Sequence, residues 1–357
     1  MCAVEAADKV SHYELCRWRL LKICLGLFYL LLSGCSTQWY STVAYAPDGS
    51  IIAAAGLSAT GFESVAAAKH AIFIYDAATL SEQRALQAER EKTLSGRTGY
   101  EKRPIVISFD SRYIAAAGRH YSVDIWDLSS GRQVMHLPQL TGAMAIAFSP
   151  TENTLAVAGP TSETTLWSVP DGKLLSLLRG KPTSPNTAVA FSPDGKTLAV
   201  GDTNRTVRLW SLPKGKEVGL LQGHDRWVHS LSFSPDGNTL AVYAGRLKFW
   251  HLPEMRPLPR LPELPDSGDA TYEGQNPAMF SPNGKFFAAF EQASTGLVVH
   301  RAIFIFSFES WKKLRIDCNK CMSLTFSPDS SKLIIVGISL GGSPIEIWSP
   351  VTGERIR

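Results

Sequence analysis

Apolar and polar positions along the 357-residue chain fall into a few short patterns that return in the same order. An aromatic residue, Phe191, precedes the turn Ser192-Pro193-Asp194-Gly195, and the small, branched run Leu198-Ala199-Val200 follows it. Proline pre-sets φ at the second turn position, Asp tolerates the bridge region and Gly closes a type I turn between two strands. Copies stand at Tyr45-Ala46-Pro47-Asp48-Gly49, Phe109-Asp110-Ser111, Phe148-Ser149-Pro150-Thr151-Glu152, Phe233-Ser234-Pro235-Asp236-Gly237, Phe280-Ser281-Pro282-Asn283-Gly284 and Phe326-Ser327-Pro328-Asp329-Ser330. With Phe191 that makes seven, the second reading two residues short. Runs such as Leu240-Ala241-Val242 and Leu333-Ile334-Ile335-Val336 suit strands covered on both faces. Each leads to an alternating segment that ends in an aromatic, such as Val207-Arg208-Leu209-Trp210 or Leu247-Lys248-Phe249-Trp250, as a half-buried strand does. A second turn, such as Leu128-Ser129-Ser130-Gly131, opens a fourth segment like Lys216-Glu217-Val218-Gly219-Leu220-Leu221.

Four short strands returning about every 40 to 45 residues predict an all-β fold, a seven-bladed β-propeller of four-stranded antiparallel sheets. Ile125-Trp126-Asp127, and Gly223-His224 followed by Val228, Leu231 and Phe233, carry a resemblance to WD repeats over residues 39–357. Most units end in Trp-Ser, Trp-His or Tyr-Asp instead of Trp-Asp, and one has Gly-His, so the family's His–Ser/Thr–Asp–Trp network is incomplete in every unit. Packing between blades is therefore expected to carry the stability. The resemblance implies that Gly353-Glu354-Arg355-Ile356-Arg357 is a fourth strand that pairs with the first unit and closes the ring, removing open sheet edges.

It also implies that the connections after second and fourth strands share one face. On that face the chain is enlarged at Leu57 to Lys69, Ala88 to Lys102, Pro257 to Pro277, Glu291 to Arg301 and Ser339 to Ser343. Units six, seven and one are neighbours in a closed ring, so these segments form a crescent, and enlarged loops on a rigid scaffold are where binding concentrates. Phe62, Glu63, Arg97, Tyr100, Tyr272, Glu291, His300 and Arg301 are the candidate partner-binding residues.

Ahead of the repeats the pattern changes. Arg17, Arg19 and Lys22 precede the apolar run Ile23 to Leu32 and then Ser33-Gly34-Cys35, the layout of a secretory signal too short to span a bilayer. Leu32-Ser33-Gly34-Cys35 resembles the bacterial lipobox, with an ordinary signal peptide or a buried helix as the alternatives. The resemblance implies that residues 1–34 are removed, that the Cys35 thiol is lipidated, and that residues 35–38 tether a propeller of residues 39–357. Ser36, where an Asp would favour inner-membrane retention, implies a lipid anchor in the outer membrane, facing the periplasm. Glu5, Asp8 and Glu14 are unusual for a signal and leave open a start further along.

Net charge is +4 with the basic residues scattered, which does not indicate nucleic acid. Losing residues 1–34 leaves +3 and three cysteines, Cys35, Cys318 and Cys321. In an oxidising compartment Cys318 and Cys321 are expected to form a disulfide. A redox pair, with no helix N-terminus to activate it, and zinc, with no second Cys-x-x-Cys, are weaker readings. Haem attachment is excluded by Met322. His224, beside Asp225, Arg226 and Trp227, holds the family's structural position, and Trp126, Trp167, Trp210, Trp250 and Trp348 follow the register of blade packing. No catalytic motif, metal set or cofactor site is expected. The chain reads as a membrane-anchored interaction scaffold of the bacterial cell envelope that binds a protein or peptide. The alternative is a periplasmic propeller enzyme, a hydrolase or quinoprotein-like oxidoreductase using the central channel. Ala53-Ala54-Ala55 and Ala115-Ala116-Ala117 near the inner strands favour the scaffold.

Overall fold

The structure is a computed structural model; it describes residues 37–59, 69–86, 104–117, 122–138, 143–180, 184–259, 278–295, 298–318, 320–340 and 344–357. Seven antiparallel sheets follow one another along the chain, each taken from consecutive strands. Blade 4 shows the plan: an inner strand Asn186–Phe191, then Thr197–Asp202, Val207–Ser211 and an outer strand Lys216–Leu221, with Leu198 opposite Trp210.

Burial follows position along the blade's radius. Second strands are covered on both faces, as in Tyr113–Ala117 and Thr154–Ala158, where every residue is buried. Outer strands have one free edge and alternate or expose their side chains, as in Glu82–Leu86. The apolar side chains meet between blades. Ala156, Leu166 and Leu178 of blade 3 pack on Leu198, Val200 and Trp210 of blade 4, and Tyr40, Val43, Phe73 and Tyr75 of blade 1 on Ile334, Val336, Ile345 and Ile347 of blade 7. Each fully buried Leu, Ile or Phe contributes about 1.5–3 kcal/mol, so no blade hides its faces without both neighbours. The hydroxyls of Tyr40 and Tyr75 bond to each other at the seam between blades 7 and 1. Burial, reinforced by Tyr75, holds the Tyr40 phenol far above its usual titration range.

In blades 2, 4, 5, 6 and 7 the turns between first and second strands share a hydrogen-bond cycle, whereas blade 1 has Ala46 in place of the serine and blade 3 pairs Ser149 with Thr151. Ser192 Oγ donates to Asp194 Oδ1 at 2.6 Å and accepts from the Thr197 N–H at 2.9 Å, while Lys196 N–H donates to the same carboxylate at 3.0 Å. Ser108-Phe109-Asp110-Ser111 makes the same set, with Ser108 Oγ on Asp110 and Tyr113 N–H on Ser108. The second turn is therefore complete. The aromatic anchor there is replaced by Ile107, and Phe109 occupies the proline position, where it is exposed. Neighbouring turns touch in succession: Asp48 N–H donates to Ser111 Oγ at 3.1 Å, Asn153 Nδ2 to Asp110 at 2.9 Å, and Asn283 N–H to Ser330 Oγ at 3.0 Å. They form a collar on one face of the ring.

Closure differs from the expectation. The C-terminal residues do not join blade 1, which takes all four of its strands from residues 37–86. They complete blade 7 instead: Ile356 N–H donates to Ile347 O at 2.7 Å, Ile347 N–H to Arg357 O at 2.9 Å, and Trp348 bridges Arg355. The seam is bridged from the other end. The inner strand Thr37–Tyr45 starts early, and Thr37, Gln38 and Trp39 pair with Leu340, Ser339 and Ile338 of blade 7, beyond the point where that blade's own inner strand, Cys321–Phe326, begins. Backbone groups at the end of the strand Leu333–Leu340 are thus satisfied by the first strand of the chain.

Candidate functional site

The face opposite the collar carries the connections after second and fourth strands, and its two halves differ. In blades 3 to 5 the second and third strands are joined by tight turns, residues 159–162, 203–206 and Gly245. In blade 6 the corresponding strands, Phe286–Thr295 and Val298–Ser307, have ten residues each and stay paired to Thr295 and Val298. In blade 1, Ile51–Ala59 and Lys69–Asp76 reach Ser58 and Lys69, and in blade 7 Leu333–Leu340 has eight residues. Blades 6, 7 and 1 therefore stand above blades 3 to 5 on this face as an arc of lengthened sheet.

Several expected loop residues prove to be strand residues. Glu291 lies opposite Ala302, His300 opposite Ala293 and Arg301 opposite Gln292 in the blade 6 hairpin. Ser339 and Leu340 pair with the inner strand of blade 1. The Arg301 guanidinium reaches inward, 3.5 Å from the Cys321 carbonyl and from Met322 Sδ, and so ties blade 6 to blade 7. Phe62, Glu63, Arg97, Tyr100, Tyr272 and Cys35 lie outside the described residues. Cys318 and Cys321 connect blade 6 to blade 7 on the same face, with Cα atoms 5.7 Å apart and their sulfurs paired.

His224 joins two blades. Buried ahead of the inner strand of blade 5, it donates from Nδ1 to the Arg205 carbonyl of blade 4 at 3.0 Å and accepts at Nε2 from the Trp250 indole of blade 5 at 3.1 Å. Both ring nitrogens are thus engaged in the neutral form, and burial lowers its pKa below the ordinary histidine value. Trp126 and Trp210 are buried, and the Trp167 and Trp348 indoles bond to Thr165 and Glu346. Buried Asp124 in blade 2 accepts from Gln133 Nε2 and contacts His136 Nδ1, each at 2.6 Å. Among the described residues no three His, Cys, Asp or Glu side chains gather as a metal site would need.

One feature of this face has no signal in the repeat pattern. Trp227 is 57% exposed, and Arg205, Arg226 and Arg246 are likewise exposed on three connections of this face in blades 4 and 5. Arg226 N–H donates to Ala244 O at 3.0 Å and its aliphatic stem lies over Gly245, so the platform under Trp227 is rigid. Only the exposed character of a bulky indole beside charged residues hints at this in the sequence.

Seven four-stranded sheets closed by inter-blade packing define a seven-bladed β-propeller. The family model described as WD domain, G-beta repeat, matches residues 172–211 and 215–251, and these two matches together with the seven-bladed ring support a WD-repeat propeller. Each match starts at the outer strand of one blade and ends on the third strand of the next, so a sequence repeat straddles two blades. A search of the curated proteins finds no match.

Proposed function

We propose that this propeller is an interaction scaffold of the bacterial cell envelope, lipidated at Cys35 and anchored in the outer membrane facing the periplasm. It holds a protein or peptide partner on the raised arc of blades 6, 7 and 1. The observation that carries the reading is the lengthening of paired strands in three adjacent blades on one face, against tight turns in blades 3 to 5. In blades 7 and 1 part of this extension bridges the seam, whereas the blade 6 hairpin beyond Ala302 pairs within itself. Paired backbone makes the arc stiff, which lowers the ordering cost of binding. Binding by WD propellers in general supports the class, and the lipobox-like Leu32-Ser33-Gly34-Cys35 supports the address.

Photo-crosslinking residues placed at Ala293 and Val299 in the blade 6 hairpin, and at Lys196 in the collar, test this in cells. A discrete adduct from positions 293 or 299 and none from 196 is expected. Adducts from 196 alone would move the partner to the other face and end the proposal.

A further inference from the structure

The anchor and an aromatic-basic platform lie on the same face of the ring. The inner strand of blade 1 runs from Thr37, level with Ala59 and Leu340, down to the collar turn at Ala46. Thr37 is thus at the end of the propeller opposite the collar, and Cys35 is two residues away, a reach of about 7 Å. A lipid on Cys35 would hold this face against the bilayer at blades 1 and 7.

Blades 4 and 5 stand across the ring from blade 1. There the second-to-third connection of blade 4 exposes Arg205, the approach to blade 5 exposes Arg226 and Trp227, and the turn after Ala244 exposes Arg246. Lys248 adds a half-buried ammonium that bonds to Gly223 O and lies 3.6 Å from Asp225. Asp225 is the exposed carboxylate of these segments; Asp202 is buried and accepts from Thr206. An indole with one apolar and one hydrogen-bonding edge suits the headgroup layer of a bilayer, and guanidinium groups pair with lipid phosphates.

We infer that Trp227, with Arg205, Arg226 and Arg246, is a second membrane contact that rests on anionic phospholipid headgroups and sets the ring face-down on the bilayer. The inference rests on the anchor reading above, and it specifies that reading: the partner on the raised arc is met at the membrane surface. Each basic residue near an anionic surface is worth about 1 kcal/mol, or roughly fivefold in binding.

The test uses the full chain recovered from membranes, its Cys35 adduct checked by mass, in phosphatidylethanolamine vesicles containing phosphatidylglycerol and a lipid-borne nitroxide quencher. A fluorophore is carried at Trp227→Cys or, in the collar, at Lys196→Cys; Gln222→Cys, exposed on the same face as Trp227, replaces the first if it fails to fold. Quenching at 227 and not at 196, reduced by high salt, by neutral lipid or by combined Arg205→Glu, Arg226→Glu and Arg246→Glu, is expected. Equal quenching at both positions, or shielding of 227 only after envelope proteins are added, would overturn the contact. If Cys35 carries no lipid, the anchor reading fails by itself, and flotation with the same vesicles decides the platform. Salt-sensitive flotation lost in the triple variant keeps it, and absence of flotation removes it.

Discussion

His224 offers a direct measure of how far blades depend on one another. Replacing it with Ala removes the bond to Arg205 O across the blade 4 to blade 5 boundary and leaves the buried Trp250 N–H without an acceptor. A net hydrogen bond is worth about 1 kcal/mol and a stranded buried donor costs about 1–3 kcal/mol, so His224→Ala should cost about 2–4 kcal/mol. For the roughly 260 described residues, with an unfolding entropy of about 2.1 cal/mol/K per residue, that lowers Tm by about 4–7 °C. Urea and thermal unfolding of the single variants and of His224→Ala/Trp250→Phe would give the coupling, expected at about 1–2 kcal/mol. The pH dependence has a definite sign. The unfolded histidine takes up a proton near pH 6.5, whereas burial delays protonation in the folded ring. The stabilisation is complete above about pH 6.5 and is lost as pH falls from there through the lowered folded value. The alanine variant should lack this part of the slope. Additivity of the two substitutions, or an unchanged pH profile, would refute the bridging role.

Three further outcomes follow from the turns and the tail. Gly195→Ala puts Cβ 2.4 Å from Thr151 Oγ1 at a φ of +70°, whereas Gly49→Ala at +78° meets nothing within 4 Å. The first should cost about 1–2 kcal/mol more than the second in chemical denaturation, since overpacking adds to the left-handed penalty both share, and Thr151→Ala should recover much of that difference. The Asp329 carboxyl is held down to about 2 by Ser327 Oγ and then by Ser331, and its stabilisation, present above about pH 3.9, is lost as pH falls through about 2. Asp194 and Asp236 are lowered by the equivalent serines, so an acid titration should show a steep loss below about pH 4, shallower in Asp329→Asn. Deleting residues 354–357, whose side chains are exposed, removes four backbone bonds and should cost about 2–4 kcal/mol while leaving the state of association in sedimentation unchanged. Ring opening and oligomerisation on that deletion would show that the tail closes the ring after all.

Much of this architecture is legible in the chain itself because it is built from local chemistry. The Ser-x-Asp cycle is made within six residues, the apolar run behind it needs cover on both faces wherever it sits, and the period of strands and turns allows little except radial repetition. The second turn shows the limit of reading by eye: Phe109 resembles the anchor, yet Ser108 and Asp110 set the register, and only the hydrogen bonds reveal it. The hairpin of Glu291 to Arg301 reads as a loop because its polar edge breaks the apolar pattern, although continued pairing extends both strands.

What the ring alone decided are the relations between distant segments. Which blade takes Gly353 to Arg357 depends on where blade 1 finds its fourth strand; Glu82–Leu86 fills that place, so the tail pairs with its own blade. The bridging of the seam by Thr37 to Trp39 depends on how far Leu333–Leu340 outruns its inner neighbour. Trp227 and three arginines from connections some twenty residues apart become one platform only when blades 4 and 5 stand side by side. Local sequence encodes the turn and the strand, whereas the pairing of edges and the grouping of exposed side chains are properties of the closed circle.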